Sequence, residues 1–281
     1  MKHFYIIANP QKDTDLVLTK KIQKYIEAHG GTCGYQLNQE YNEEELPKDT
    51  ECILVVGGDG TLLRVARDMA ERNVPLIGVN TGHIGYLCEL DAETVMNGLE
   101  ILMEEKGYSV EERMLLTGYL VNKSGQSGQR IALNDIVIHR SGALQVVDLI
   151  ISVNGEYLNT YSADGIIIAT PTGSTAYNMS AGGPIVDPRA ELILITPISP
   201  HTLNAKSIVL GADDEITVEV ASRRVENDEK TEVSFDGDHV GILTVGEKIV
   251  VKKASTRTGI LKLSKLSFLE RLGKKLQGYT G

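Results

Sequence analysis

Val55–Thr61 reads VVGGDGT, and this stretch decides the fold. The apolar run Ile53, Leu54, Val55, Val56 enters Gly57 and Gly58. Asp59, Gly60 and Thr61 follow, and then Leu62, Leu63, Ala66 and Met69 at helical spacing. The pattern predicts a buried strand, a glycine turn and the first turn of an amphipathic helix. Glycines turn the backbone sharply and leave N–H groups bare, and the helix start adds a favourable dipole. A phosphate can therefore sit against the main chain. Asp59 is the odd residue, because a carboxylate repels phosphate. An acid at the centre of such a cradle makes sense if it takes a proton or touches a metal. The plainer alternative is an ordinary turn with Asp59 as helix N-cap, and this stretch alone leaves both open.

Outward from this turn, the first part of the chain alternates strands with helices. Phe4–Ala8 predicts a short buried strand ending at Asn9-Pro10. Asp13 or Thr14 is expected to cap a helix with Leu18, Ile22, Tyr25 and Ile26 on one face, stopped by Gly30-Gly31. A weak strand is expected at Cys33–Leu37 and another at Leu76–Val79, leading into Asn80–Tyr86. A helix from about Ala92 carries Val95, Met96, Leu99, Leu102 and Met103. Such alternation predicts a parallel α/β sheet, where ligands bind beyond the carboxyl ends of the strands. Gly57–Thr61 and Asn80–Gly85 both leave strands at that edge.

Near Tyr108 the texture changes and becomes mostly strand-like as far as about Lys253. Val110–Val121, Ile131–His139, Val146–Val153, Glu156–Tyr161, Ile166–Ala169, Ile193–Thr196, Ile216–Val220, Val233–Phe235 and Ile249–Val251 read as strands. Asn154-Gly155 is a strong hairpin signal, and Asp236-Gly237 reads as a second turn. The tail turns helical, with Phe268, Leu269, Leu272 and Leu276 in a stripe. The fold class expected is an α/β N-terminal domain with a parallel sheet (1–108) plus an all-β C-terminal domain (109–262). A final helix (263–281) would return to the first domain.

Two further constellations lie in the all-β part. Thr170–Ser180 reads TPTGSTAYNMS and leaves a strand for a short helix at Ser174 or Thr175. Its hydroxyls and helix start can donate to a polar ligand, and Tyr177 offers a flat face for a base; a capping loop with a packed tyrosine is an equal alternative. Asn134-Asp135 interrupts the apolar strand Ile131–Ile138. Buried polar groups need partners, and adjacent strand residues point to opposite faces, so one of the two is expected to look out of the core. Asp164 sits at a strand entrance, where a plain turn aspartate is the simpler account.

With 281 residues, 42% of them hydrophobic, the chain can bury two domain cores, and no apolar run is long enough to span a membrane. The net charge of −10 is spread along the chain and argues against nonspecific nucleic-acid binding through a basic face. Cys33, Cys52 and Cys88 lack metal-ligand spacing and read as reduced thiols of a cytoplasmic protein. The start, with only a short apolar run after Met1-Lys2-His3, fits a first strand rather than a signal peptide. There is no GxxxxGK[ST] loop, no GxGxxG after the first strand, no HExxH and no GxSxG.

Together, GGDGT at Gly57–Thr61, Asn134-Asp135 in its apolar strand and TPTGSTAY at Thr170–Tyr177 resemble the NAD kinase family in identity, order and rough spacing. The likeness extends over nearly the whole chain, including Asn80–Tyr86 and Ser180–Pro188. GGDGT alone is shared with diacylglycerol and sphingosine kinases. The resemblance implies transfer of the γ-phosphoryl of ATP to the 2′-hydroxyl of the adenosine ribose of NAD, making NADP in the cleft between two domains. Mg²⁺ or another divalent cation would travel with the ATP phosphates, without a resident metal site. It also implies a homotetramer or homodimer, in which a neighbour's loop near Pro197–His201 completes the site, and no nucleic-acid or membrane partner. Residue by residue, Asp59 corresponds to the general base. Gly57, Gly58, Gly60 and Thr61 correspond to the phosphate cradle, with Arg64 a turn further on as a phosphate contact. Asn134 and Asp135 correspond to dinucleotide contacts, Asp164 to the nicotinamide-side carboxylate, and Thr172, Thr175, Ala176, Tyr177 and Ser180 to the adenine and ribose pocket. Asp135 is one methylene shorter than the family's usual glutamate. Ser162 stands where many bacterial relatives carry a basic residue, so use of NADH as well as NAD is expected. Another kinase of this fold, acting on a lipid or sugar, and a non-catalytic NADP-binding sensor are the rival readings.

Overall fold

The computed structural model describes residues 1–38, 42–82, 85–142, 146–202, 205–222, 230–263, 267–270 and 272–273. The chain divides into two compact units, Met1–Glu112 with Thr258–Gly281, and Arg113–Arg257.

In the first unit, strands β1 (His3–Ala8), β2 (Thr32–Leu37), β3 (Cys52–Gly57) and β4 (Leu76–Asn80) form a parallel sheet in the order β4-β3-β1-β2. Ile260 runs parallel beside Leu76. The central strand is the one that carries the glycine turn: Cys52 to Val56 are at most 1% exposed. Fully burying one aliphatic side chain is worth about 1.5–3 kcal/mol, so this strand is a firm base for the loop that leaves it. Helices α1 (Val17–Ala28), α2 (Asp59–Asp68) and α3 (Val95–Met103) turn their apolar faces inward. Leu18, Ile22 and Ile26 of α1 join Val95, Leu99 and Leu102 of α3 in one core with the sheet residues Phe4, Ile6, Leu54, Val56, Ile77 and Val79.

Asp13 caps α1 from further back than expected. Asp15 and Leu16 take left-handed backbone conformations before the helix. The Asp13 carboxylate then accepts hydrogen bonds from the Leu18 and Thr19 amides at 2.9 and 2.8 Å. The three cysteines are free and buried, and burial pushes the Cys33 thiol up to about 12. No described helix is long and apolar enough to cross a membrane.

The second unit is antiparallel β throughout its sheets. One sheet runs in the order Ile208–Gly211, Leu192–Ile198, Gly165–Ala169, Asp135–Arg140, Lys230–Phe235, Asp238–Thr244. In the other, Glu156–Ala163 pairs with Val147–Val153, which pairs with Ile216–Ala221, followed by residues 248–251. Alternate residues of both sheets, such as Ile136, Ile166 and Phe235 with Leu149, Val218 and Ile249, share one core. Val137, Ile167, Ala169 and Leu194 point the other way, beneath Ala181 and Val186. The Asn154-Gly155 turn has the two positive φ angles, 52° and 81°, that a tight hairpin requires.

The strands not expected include Ile208–Gly211 and Asp238–Thr244, both at the edges of their sheet, and the two-residue Leu90–Asp91, which runs parallel beside β4. Residues 123–129, expected as a loop, include a short strand, Gly125–Gln126, paired back on Val121 and Asn122. Of the expected tail helix, residues 268–270 and 272–273 are helical, and 264–266, 271 and 274–281 lie outside the described residues. So do His83 and Ile84 of the Asn80–Tyr86 stretch.

Candidate functional site

In the first unit Gly57 ends β3 and Asp59 is the first residue of α2, whose N-cap is Gly58. Asp59 is therefore not the N-cap, and no side chain caps this helix. Its carboxylate instead reaches across to the segment that follows β4. It accepts from the Tyr86 amide at 2.5 Å and from the Leu87 and Cys88 amides at 3.3 and 3.2 Å. Gly85 lies directly beneath it, where a methyl group would fall 2.0 Å from Asp59 Oδ1. Only glycine permits this approach, which gives the Asn80–Tyr86 stretch a physical reason for its composition.

Side chains added at Gly58 or Gly60 would meet nothing within 4 Å, so this face of the turn is open backbone. Gly57 is packed against Thr61, with a methyl there only 2.6 Å from Thr61 Oγ1. Thr61 is buried, and its hydroxyl accepts a bond from Asn9 Nδ2 at 3.2 Å. Asn9, at the carboxyl end of β1, thus joins the cradle, and the sequence reading passed over it. Arg64 is exposed on α2 and sits 3.8 Å from Asp68.

In the second unit a cleft of about 630 Å³ is lined by Asn134, Asp135, Asp164, Ala176 and Tyr177, together with His139, Arg140, Asp236 and Gly237. Thr172, Thr175 and Ser180 are not among its lining residues. Asn134 falls in the gap between two strands, Arg130–Ala132 and Asp135–Arg140. Of the adjacent polar pair, Asn134 is half-buried and Asp135 is buried. Burial, with the Asp236 carboxylate nearby, pushes Asp135 up to about 7.

Tyr177 is 45% exposed, which leaves much of its ring free for stacking. Thr172 Oγ1 is buried and has no hydrogen-bond partner in the structure. A buried hydroxyl without a partner costs about 1–3 kcal/mol. Thr175 Oγ1 donates weakly to the Thr172 carbonyl at 3.4 Å, and Ser180 is exposed at the end of the four-residue helix Tyr177–Ser180. Asp164 is engaged by Arg140, whose Nε donates to Asp164 Oδ1 at 2.8 Å. Ser162, by contrast, donates to Asp148 at 2.5 Å. The cation beside Asp164 thus comes from the neighbouring strand and not from position 162. Arg140 carried no motif signal; strand pairing between Asp135–Arg140 and Gly165–Ala169 is what brings it there.

A carboxylate-centred glycine turn on a parallel sheet and a polar cleft in a β unit are the parts of a nucleotide-handling phosphotransferase. Comparison with known proteins specifies the family. A model of the ATP-NAD kinase N-terminal domain matches residues 19–108, and one of the C-terminal domain matches residues 133–263. An NAD kinase of Agathobacter rectalis is 52% identical over 287 aligned residues, covering 100% of both chains. An NAD kinase of Lachnospira eligens is 42% identical, covering 98% of this chain and 100% of its own. Among solved structures, a yeast NADH kinase complexed with NADH superposes with a TM-score of 0.85 at 22% identity, over 99% of this chain and 88% of that one. An NAD kinase from Archaeoglobus fulgidus in complex with ATP gives 0.75 at 24% identity, over 98% of each chain. The structures testify to the fold. The family models and the sequence relatives show that this chain belongs to the ATP-NAD kinase family, a family of ATP-dependent kinases.

Proposed function

We propose that the chain transfers the γ-phosphoryl group of ATP to the 2′-hydroxyl of the adenosine ribose of NAD, giving NADP and ADP. The observation that carries this reading is the Asp59 carboxylate, fixed beside an open glycine turn by three backbone amides. Binding phosphate gains nothing from a carboxylate there, whereas a ribose hydroxyl must lose a proton as it attacks. Asp59 takes that proton, the ribose oxygen bonds to the γ-phosphorus, and the bond to the β–γ bridging oxygen breaks, releasing ADP. Gly57, Gly58, Gly60 and Thr61 donate to the phosphates, and Arg64 adds positive charge. Mg²⁺, or another divalent cation carried by the ATP phosphates, neutralises the charge that builds up.

On the acceptor side, Asn134 and Asp135 hold the ribose, and Tyr177 stacks on the adenine. Ala176 lines that pocket beside Tyr177, and Thr172, Thr175 and Ser180 belong to the loop and short helix that carry these two residues. Asp164, steadied by Arg140, accepts from the nicotinamide carboxamide. Residues 1–108 then form the phosphate-handling domain and 109–262 the NAD-binding domain, with the helix of 263–281 returning to the first. The protein works in the cytoplasm as a homotetramer or homodimer. Incubation with ATP, Mg²⁺ and NAD, coupled to an NADP-specific dehydrogenase, tests the reaction. Absence of NADP, with phosphorylation of a lipid or sugar instead, overturns it.

A further inference from the structure

Asp236 lies outside the GGDGT, Asn134-Asp135 and TPTGSTAY stretches, and three backbone amides converge on it. Its carboxylate accepts from the amides of Leu133, Asn134 and Asp135 at 2.8, 2.7 and 3.1 Å. In return its own amide donates to the Asp135 carbonyl at 2.9 Å. Asp236 and Gly237 form the turn between Lys230–Phe235 and Asp238–Thr244, with φ angles of 50° and 87°. Leu133 and Asn134 fall where the strand is broken, and Asp135 opens the strand that follows, paired with Ala169. On the opposite side the same break is held by Thr170, whose amide donates to the Asn134 carbonyl at 2.8 Å and whose hydroxyl donates to the Leu133 carbonyl at 2.6 Å. Asn134, Asp135 and Asp236 all line the cleft.

We propose that Asp236 is a positioning residue for dinucleotide binding: its carboxylate fixes the backbone of Leu133–Asp135, and so aims the Asn134 and Asp135 side chains into the cleft. The inference rests on the reading of that cleft as the NAD site. A turn needs no carboxylate reaching over a hundred residues away in sequence, and asparagine or glycine would serve the turn equally well. The acid is explained by the three amides it collects, since hydrogen bonds to a charged acceptor are the strong ones. Its second consequence is electrostatic. Asp236 brings a negative charge beside Asp135, which together with burial holds Asp135 near 7. The other charged groups lining the cleft are Arg140 and Asp164, which neutralise one another, and His139 on the same strand as Asp135.

The test is Asp236→Asn, which keeps the shape of the side chain and tolerates the positive φ, alongside Asp236→Ala. KM for NAD is expected to rise about tenfold or more in Asp236→Asn, while kcat and KM for ATP stay within about threefold. The inflection of KM for NAD against pH is expected to move below the wild-type position, because one of the two causes that raise Asp135 is gone. Hydrogen exchange at amides 133–135 is expected to quicken in both variants. A folded Asp236→Asn with unchanged KM for NAD and an unmoved inflection overturns the proposal. If the wild-type chain makes no NADP, the proposed function fails. Positioning by Asp236 is then decided by hydrogen exchange and by calorimetric titration of NAD itself. Unchanged exchange and unchanged affinity in Asp236→Asn count against it.

Discussion

Replacing Asp59 by Asn separates chemistry from architecture, because the structure assigns the side chain a mechanical duty of known size. An N-cap aspartate would be exchanged almost silently, since Asn caps as well as Asp. Asp59 is not in that position. Its Oδ2 accepts from the Tyr86 amide, and Oδ1 from the Leu87 and Cys88 amides. An asparagine that keeps its oxygen toward Leu87 and Cys88 turns an NH₂ group toward the Tyr86 N–H, donor against donor. One charge-assisted hydrogen bond is lost and the others are weakened, at a cost of about 1.5–3 kcal/mol. For a unit of this size that lowers Tm by roughly 3–12 °C.

The chemical loss is larger. Removing a general base typically costs about 10²–10⁴-fold in rate, or about 2.7–5.5 kcal/mol of transition-state stabilisation. Asp59→Asn is therefore expected to melt a few degrees early and to remain folded at 25 °C. It should bind NAD with nearly wild-type affinity and turn over at less than about one hundredth of the rate. Thermal melts, NAD titration and steady-state kinetics on the same preparation give the three numbers. A kcat within threefold of wild type, or one that falls only as the folded fraction falls, refutes the base and leaves Asp59 a structural tie between α2 and the segment after β4.

Other outcomes follow from the cleft. Asp135→Ala is expected to raise KM for NAD by about 10–150-fold, the equivalent of one charged acceptor, with kcat little changed; an unmoved KM removes Asp135 from the ribose site. Asp135 also sets a pH dependence of stability. Its folded pKa of about 7 lies above its ordinary 3.8. Its contribution is fully present below pH 4 and is lost as the pH rises through 7, by up to about 4 kcal/mol. Urea midpoints at pH 5 and pH 8 should therefore differ less in Asp135→Asn than in wild type, after the opposite trend of lowered carboxylates such as Asp91 and Asp187 cancels between the two proteins. With Ser162 tied to Asp148 and no basic side chain at that position, NADH is expected to be phosphorylated measurably alongside NAD, and strict rejection of NADH in the coupled assay counts against this. Gly173→Ala puts a methyl 2.1 Å from the Asn134 carbonyl oxygen, so it should destabilise by about 1–3 kcal/mol and raise KM for NAD together; a neutral melt refutes the contact.

Much of the scaffold was legible because it is local. The strand, glycine turn and helix at Cys52–Asp68 follow from residue order alone, as do the hairpin at Asn154-Gly155 and the alternating strands of the second unit. Of the strands that were not expected, the two longest, Ile208–Gly211 and Asp238–Thr244, are edge strands with few buried positions, so their sequences lack the apolar alternation that marks a strand with one face in the core. The candidate site was legible as letters and illegible as contacts. Asp59, Asn134 and Asp135 stand out as polar residues in apolar surroundings. Nothing in residue order says that Asp59 meets amides 27 to 29 positions away, or that Asp236 meets amides 101 to 103 positions away.

Those distant contacts explain why the three acids, identical or nearly so in solution, are assigned to different work. Asp59 and Asp236 each collect three backbone amides, which fixes the side chain and the loop that supplies the amides. What differs is the opening beside them. Gly58 and Gly60 leave bare backbone next to Asp59. At Asp236 the carboxylate is occupied in holding the backbone of Asn134 and Asp135, and the acid left to meet a ligand is Asp135. Burial and the neighbouring charge place that acid near 7, where a small change in surroundings decides whether it accepts or donates a hydrogen bond. Amides fix Asp59 and Asp236 alike, so neither those bonds nor the charge the acids share distinguishes them; the surroundings each acid faces do.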